Sequence, residues 1–266
     1  MRAAVLGSPI AHSLSPALHR AAYTALGLDW TYDALDVIAA DLPRLLAGFG
    51  PDWAGLSLTM PLKQTVLPLL DEVSPLAAAT GAANTVLVRD GRLVGDNTDV
   101  AGILAALAEA GVTSVSSSVV LGGGATAASA LAALARLGDP APVVLVRDVR
   151  RTGPLRAAAD RLGVTPRIRA GLGTATGAGG VCISTLPGGA RPGHRGGPGA
   201  VLLDVAYDPW PTPLAEAWTG PVVGGAVMLL HQAARQVELM TGRDAPLAAM
   251  RAALPERLRG GTSSGV

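Results

Sequence analysis

The stretch Val119-Val120-Leu121-Gly122-Gly123-Gly124-Ala125-Thr126 decides the fold. Its apolar start predicts a short buried strand, and its three glycines predict a tight turn into the Ala- and Leu-rich helix that ends at Leu137-Gly138. The apolar run Val143 to Val146 predicts the next strand. Such a βαβ unit lets a pyrophosphate approach the N–H groups at the helix N-terminus. Because residue 127 is Ala and the complete GxGxxG pattern is absent, an ordinary tight turn is the alternative.

The residues after the second predicted strand bear on the choice of dinucleotide. Arg147, Asp148, Arg150 and Arg151 stand where this type of fold meets the adenosine ribose. An acidic residue there accepts hydrogen bonds from the ribose of NAD, whereas Arg residues hold the 2′-phosphate of NADP. Three Arg against one Asp predict NADP. Three alternatives stay open: Asp148 binds the ribose of NAD, Asp148 is paired with a neighbouring Arg, or the segment is a solvated basic loop.

Alternating strands and helices continue on both sides of this unit, so the fold class is α/β with two α/β domains. We expect a dinucleotide-binding domain over residues 102–225, and a substrate-binding and catalytic domain over residues 1–101 plus 226–266, with a cleft between them. In the second of these, two β-rich runs flank Asp90-Gly91, which predicts a hairpin.

Length and composition exclude several classes of protein. The 266 residues suffice for two modest domains, and a net charge of +1 gives no reason to expect nucleic acid or a membrane surface as partner. No apolar run is long enough to span a bilayer, and the N-terminus lacks the features of a secretory signal. Cys182 is the single cysteine, so no internal disulfide can form. We expect a cytoplasmic protein without a metal site.

Lys63 is the only lysine beside 20 arginines. Where charge alone is needed, Arg suffices, but Arg stays protonated at any ordinary pH and cannot act as a proton donor. A single lysine in such a chain therefore favours a role in proton transfer. The alternative is a surface lysine retained by chance.

Other polar residues of the first hundred stand at the ends of predicted elements. Ser13 and Ser15 precede a helix that has Pro16 at its start, and they either cap the helix or bind a carboxylate. Thr59 and Lys63 follow the predicted strand that ends near residue 59, at the sheet edge where α/β proteins bind ligands. Asn84 precedes a strand. Asp99 precedes a helix, where a capping residue is the simpler interpretation.

These segments together resemble the shikimate dehydrogenase family. The motifs follow the family's order and span almost the whole chain: Gly7-Ser8-Pro9-Ile10-Ala11-His12-Ser13-Leu14-Ser15-Pro16, Leu58-Thr59-Met60-Pro61-Leu62-Lys63, Gly81-Ala82-Ala83-Asn84-Thr85, Gly95-Asp96-Asn97-Thr98-Asp99, the Gly-rich turn, Ile183-Ser184-Thr185, Asp204-Val205-Ala206-Tyr207-Asp208-Pro209 with Thr212-Pro213, and Gly225-Ala226-Val227-Met228-Leu229-Leu230-His231-Gln232-Ala233. Each motif alone is weak or moderate, but jointly they are highly specific.

The resemblance implies a Rossmann-like NADP-binding domain and a role for each matching residue. Lys63 and Asp99 would form the catalytic pair for the interconversion of 3-dehydroshikimate and shikimate. The substrate would be bound by Ser13, Ser15, Thr59, Asn84, Tyr207 and Gln232. NADP would be held by Gly122, Gly123, Gly124, Ala125, Thr126, Arg147, Arg150 and Arg151, with Val205 and Gly225 near the nicotinamide. We expect a monomer or homodimer.

The sequence departs from the family's pattern at two places. The turn is Gly-Gly-Gly-Ala-Thr where many members have Gly-Ala-Gly-Gly-Ala, and Val146-Arg147-Asp148 replaces the family's Asn-Arg-Thr. Asp148 therefore keeps an NAD-dependent quinate or quinate/shikimate dehydrogenase as the nearest alternative. A non-catalytic NADP-binding or regulatory protein on the same scaffold is disfavoured by the presence of both Lys63 and Asp99. A methylene-tetrahydrofolate-type dehydrogenase is disfavoured by the Ser13/Ser15 pair and the Gly95–Asp99 segment.

Overall fold

The computed structural model describes residues 1–173, 175–177 and 179–260. Its contacts divide the chain into two compact units. The first unit contains Met1–Thr98 and Gln232–Pro255, and the second contains the described residues of Asp99–His231 and of 256–260. The predicted domain bounds, after residues 101 and 225, stay a prediction.

The first unit is built on a six-stranded mixed sheet. Its strands are β1 (Arg2–Gly7), β2 (Thr31–Asp36), β3 (Trp53–Leu58), β4 (Glu72–Val73), β5 (Thr85–Arg89) and β6 (Arg92–Asp96). The order across the sheet is β2-β1-β3-β5-β6-β4, and β5 runs antiparallel to both of its neighbours. The predicted hairpin at Asp90-Gly91 is confirmed. Both turn residues have positive φ, 51° and 77°, as a two-residue turn of this kind requires.

The helices of this part of the chain are short and follow the strands. They are α1 (Ser15–Ala25), α2 (Leu42–Leu46), α3 (Leu62–Thr65), a 3₁₀ turn (Leu67–Leu69) and α4 (Pro75–Thr80). Leu6, Leu56 and Val86 from the sheet are fully buried with Leu42 and Leu62 from the helices. This aliphatic core fixes the ends of β1 and β3, from which the polar motifs of the sequence emerge.

The second unit contains the predicted βαβ arrangement, and its parallel sheet confirms the Rossmann-like architecture. Its main strands are β7 (Ser118–Leu121), β8 (Val143–Val146), β9 (Arg167–Ala170), β11 (Val181–Ser184), β13 (Val201–Asp204) and β14 (Val222–Gly224), and a separate pair is formed by β10 (Ala175–Thr176) and β12 (Arg195–Gly196). The order of the main sheet is β14-β13-β11-β7-β8-β9, with every pairing parallel. This is the doubly wound order, in which ligands bind outside the carboxyl ends of the central strands.

The helices of the second unit include α5 (Asp99–Glu109), α6 (Ala125–Arg136), α7 (Gly153–Leu162) and α8 (Pro213–Glu216), with a 3₁₀ turn (Val149–Arg151). Eight consecutive residues of α6, Ala127–Leu134, are buried. Most of them are Ala, so α6 can lie close to its neighbours, and a core so poor in aromatic residues is packed by small side chains.

The chain returns to the first unit through α9 (Gly225–Thr241), and α10 (Leu247–Ala252) follows with a 3₁₀ turn (Glu256–Leu258). α10 packs on α1. Within the described ranges, no helix has the length and apolar character needed to cross a membrane.

Candidate functional site

The glycine-rich turn after β7 requires glycine at its first position. Gly122 has φ +110°, which L side chains rarely adopt, and its N–H donates to the carbonyl of Leu145 at 2.9 Å. A Cβ on Gly122 would collide with the Thr185 hydroxyl, which itself donates to the carbonyl of Leu121 at 2.9 Å. The turn therefore lies against the end of β11, at the centre of the parallel sheet where the strand order reverses.

The N-terminus of α6 follows this turn directly. Gly124 precedes the helix in an extended conformation and supplies no side chain to cap it. Gly124 is exposed, and a Cβ added there would meet nothing within 4 Å. The first N–H groups of this twelve-residue helix therefore follow a glycine with no side chain to cover them. Helix N-termini of this kind bind phosphate groups. Gly122 to Thr126 fit the pyrophosphate of a dinucleotide.

The basic segment after β8 contains an ion pair that decides between the alternatives left open by the sequence. The Arg150 guanidinium donates to both carboxylate oxygens of Asp148, from Nε to Oδ1 at 2.9 Å and from Nη2 to Oδ2 at 3.0 Å. The backbone N–H of Arg150 also donates to Oδ1 at 3.0 Å. Arg150 chiefly, with Arg151 more weakly, holds the pKa of Asp148 below its usual range. Asp148 is therefore paired with an adjacent Arg, while Arg147 and Arg151 are exposed.

The loop between β13 and α8 carries Val205 and Tyr207, and Asp204 holds both of its ends. Asp204 accepts from the Thr212 hydroxyl at 2.6 Å and from the N–H of Ala206 at 3.3 Å. Burial raises the pKa of Asp204, and these hydrogen bonds oppose that effect. At the start of α9, a Cβ on Gly225 would collide with the backbone of Val205. The structure thus brings Val205 and Gly225 together, and only glycine permits that approach.

In the first unit, the start of α1 distinguishes the two predicted serines. The Ser13 hydroxyl accepts from the N–H of Ser15 at 3.3 Å, whereas Ser15 is the first residue of the helix and does not cap it. Ser15 is buried at the start of this helix. The carbonyl of Ser15 bonds Nδ1 of His19, whose ring stacks on Tyr32 with centroids 4.0 Å apart. Burial lowers the pKa of His19 to about 4, so its imidazole is neutral at neutral pH.

From Tyr32 a buried chain of hydrogen bonds runs across the sheet to α9. The Tyr32 hydroxyl donates to the Ser57 hydroxyl at 2.6 Å, which donates to Oε1 of Gln236 at 2.7 Å. Nε2 of Gln236 donates to the Thr85 hydroxyl at 3.0 Å and to the carbonyl of Asn84 at 3.1 Å. Because a hydroxyl donates only once, the direction of each bond along the chain is determined.

The same chain fixes the two candidate amides, Asn84 and Gln232. Oδ1 of Asn84 accepts from the Thr85 hydroxyl at 2.9 Å and from the N–H of Thr98 at 2.7 Å. Nδ2 of Asn84 then donates to the Thr98 hydroxyl at 2.9 Å and to Oε1 of Gln232 at 3.0 Å. Asn84 and Gln232, 148 residues apart in the chain, are thereby brought into contact with their amides in a set orientation.

The sequence reasoning missed the residues that support these amides: Tyr32, Ser57, Thr85, Thr98 and Gln236. One signal was available for Gln236, since it follows Gln232 by four residues and so lies on the same face of a helix. Ser57 gave none, because a single hydroxyl in an apolar strand has no partner that sequence can identify.

Lys63 lies in α3, immediately beyond the end of β3. Its carbonyl accepts from the N–H of Ala83 at 2.8 Å, and the N–H of Leu58 donates to the carbonyl of Asn84 at 2.7 Å. The structure therefore ties the backbone of Lys63 to the segment that carries Asn84. Both Thr59 and Lys63 are half-buried. Thr59, Lys63 and Asn84 therefore all lie at the carboxyl end of β3.

Asp99 and Tyr207 belong to the second unit. Asp99 is the first residue of α5 and is only 3% exposed, which is unusual for a carboxylate. Tyr207 is half-buried in the loop held by Asp204. The pairing of Asp99 with Lys63, and the contact of Tyr207 with the same substrate as Asn84, stay predictions.

Family models match two segments of the chain, and both segments lie mainly in the first unit. Residues 5–86 match the family model for the shikimate dehydrogenase substrate binding domain, and residues 225–254 match that for the shikimate 5′-dehydrogenase C-terminal domain. A protein of Moorella thermoacetica named shikimate dehydrogenase (NADP(+)) is 35% identical, over 98% of this chain and 94% of the relative.

Solved structures extend the similarity to the fold. The crystal structure of Mycobacterium tuberculosis shikimate dehydrogenase has a TM-score of 0.80 and 41% identity, covering 95% of this chain and 98% of that one. The Thermus thermophilus shikimate 5-dehydrogenase in complex with NADP(H) and shikimate has a TM-score of 0.79 and 32% identity, covering 96% and 100% of the two chains.

Proposed function

The chain belongs to the shikimate dehydrogenase family, and on that premise we propose that it catalyses the reversible NADP-dependent reduction of 3-dehydroshikimate to shikimate. The observation that carries the proposal is the buried network that fixes the amides of Asn84 and Gln232. A site whose buried amides are held in a set orientation suits a substrate with several hydroxyl groups, because a misplaced hydroxyl leaves buried polar groups unpaired.

Each part of the substrate has a candidate partner. We assign the carboxylate to the hydroxyls of Ser13 and Ser15. The ring hydroxyls fall to Thr59, Tyr207 and Gln232, and to Asn84, whose Nδ2 would exchange its bond to the Thr98 hydroxyl for one to the substrate. Because Asn84 already donates to Oε1 of Gln232, the NH₂ of Gln232 is the end that we assign to the substrate.

Lys63 performs the proton transfer in this proposal. When bound, NADPH supplies the hydride for the reduction of the ketone. The Lys63 ammonium donates a proton from Nζ to the alkoxide oxygen that develops on the substrate, and stabilises its negative charge as it forms. In the reverse direction the neutral amine accepts that proton from the hydroxyl. Asp99 orients the ammonium and accepts a hydrogen bond from a substrate hydroxyl.

The second unit offers the groups that NADP requires. The N–H groups from Gly122 to Thr126 would hold the pyrophosphate, and Val205 and Gly225 would adjoin the nicotinamide. Arg147 and Arg151 would hold the 2′-phosphate by charge-assisted hydrogen bonds. Arg150 would act at the same site through its pair with Asp148.

The NAD-dependent quinate/shikimate alternative depends on Asp148 accepting from the ribose of NAD. The pairing of Asp148 with Arg150 favours NADP, because the Asp148 carboxylate already accepts three hydrogen bonds. We also propose that the enzyme acts in the cytoplasm, in the pathway to the aromatic amino acids, as a monomer or homodimer. Sedimentation of the purified protein distinguishes these two oligomeric states.

The decisive experiment follows nicotinamide absorbance with shikimate and with quinate, each supplied with NADP and with NAD. We expect the highest kcat/KM for shikimate with NADP. A higher kcat/KM with NAD than with NADP would instead support the NAD-dependent quinate/shikimate dehydrogenase. Absence of turnover in all four combinations would leave a non-catalytic NADP-binding protein.

A further inference from the structure

We propose that Arg150 sets the choice between NADP and NAD indirectly, by neutralising Asp148 rather than by binding the 2′-phosphate itself. The inference rests on the proposed function and concerns which residue of the basic segment performs which task. Arg147 and Arg151 contact the 2′-phosphate in this proposal. Arg150 is a specificity-determining residue that acts through the carboxylate of Asp148.

The geometry of the pair supports this division. The planar guanidinium of Arg150 donates to both oxygens of Asp148, at 2.9 and 3.0 Å, and the backbone N–H of the same residue adds a third bond at 3.0 Å. The Asp148 side chain is 31% exposed, whereas that of Arg150 is 87% exposed. Arg150 therefore lies on the outer side of the carboxylate.

The position of Asp148 explains why it needs a partner. It stands two residues beyond Val146, the last residue of β8, where a carboxylate accepts hydrogen bonds from a ribose. An unpaired carboxylate there would favour the 2′-hydroxyl of NAD and repel a 2′-phosphate, whose charge is about −1.5 to −2 at neutral pH. A guanidinium held in bidentate contact cancels that charge and occupies the oxygens that a ribose hydroxyl would use.

The test measures dissociation constants of NADP and of NAD by calorimetry, without substrate, for four proteins: wild type, Arg150→Ala, Asp148→Asn and the double variant. We expect Arg150→Ala to raise the dissociation constant of NADP about tenfold, which corresponds to about 1.4 kcal/mol, and to lower that of NAD. Adding Asp148→Asn should return NADP affinity to within roughly threefold of wild type, because the carboxylate that repels the phosphate is then absent. The Asn side chain keeps an oxygen that can accept from the N–H of residue 150, so the turn is preserved.

Two variants serve as controls. Arg147→Ala should weaken NADP to the same extent in the presence and absence of Asp148→Asn, as a direct phosphate contact requires. Arg44→Ala removes a comparable exposed Arg–Asp pair, with Asp41, from the first unit and should leave both dissociation constants unchanged.

A loss of NADP affinity in Arg150→Ala that Asp148→Asn does not reverse would overturn the inference and make Arg150 a direct phosphate ligand. Unchanged affinities in Arg150→Ala would overturn it as well, because the pair would then have no effect on cofactor choice. The proposed function fails in a different way, through absence of shikimate oxidation in a wild type that still binds NADP.

Discussion

The two units prepare for their ligands by opposite means. In the first, neutral side chains in the interior fix one another through a continuous series of hydrogen bonds from Tyr32 to Gln232. In the second, a turn that depends on one glycine conformation leads into the N-terminus of α6, and exposed arginines follow the neighbouring strand β8. Substitutions in the first unit should therefore remove activity toward the substrate, whereas those in the second should mainly alter cofactor affinity.

Lys63→Ala gives the largest expected effect and tests the first unit at its chemical centre. General acid–base groups contribute about 10²- to 10⁴-fold to rate, so kcat should fall within that range. KM for shikimate should change little, because the proton transfer occurs only in the transition state. Single-turnover absorbance with saturating NADP and shikimate measures the loss.

Lys63→Arg provides the companion to that experiment. It keeps the positive charge but cannot release a proton, so it should be as inactive as Lys63→Ala. A Lys63→Arg variant with near wild-type kcat would reduce Lys63 to an electrostatic role, and an active Lys63→Ala would remove it from the mechanism.

Ser15→Ala is expected to act on binding alone. A hydrogen bond to a charged group contributes about 1.5–3 kcal/mol, so KM for shikimate should rise by at least about tenfold. The dissociation constant of NADP should stay the same, because Ser15 belongs to the first unit. If KM is unchanged and only the melting temperature falls, then the buried Ser15 serves the fold and does not bind the carboxylate.

The sequence predicted the architecture better than it predicted how the side chains are held. The βαβ unit follows from glycines and apolar runs, and the Asp90-Gly91 hairpin from local turn chemistry, because both depend on neighbouring residues. The contact of Asn84 with Gln232 joins residues far apart in the chain and was not predicted, since the family resemblance only assigned both residues to the substrate. The Asp148–Arg150 pair was one of several local alternatives, and only geometry could choose among them.

Gln236→Leu tests whether the network positions the substrate amides or only stabilises the fold. It removes the acceptor of the Ser57 hydroxyl and the donor to the Thr85 hydroxyl, at a cost of about 1–3 kcal/mol for each group left unsatisfied. The melting temperature should fall, and KM for shikimate should rise while NADP affinity is retained. Gln236→Glu, which keeps the acceptor but not the donor NH₂, should raise KM in the same way. Lower stability with unchanged KM in both variants would make Gln236 purely structural.

The smallest expected effect compares two neighbouring glycines of the second unit. In Gly122→Ala the new Cβ meets the Thr185 hydroxyl and the residue keeps a positive φ, a conformation that costs about 1–2 kcal/mol for an L residue. In Gly124→Ala the Cβ meets nothing within 4 Å, so stability should barely change. Both variants should retain KM for shikimate, and Gly122→Ala should lose NADP affinity because the turn must shift. Thermal melts and NADP titrations of the two proteins measure the difference, and equal behaviour of both variants would mean that the conformation of Gly122 does not shape the cofactor site.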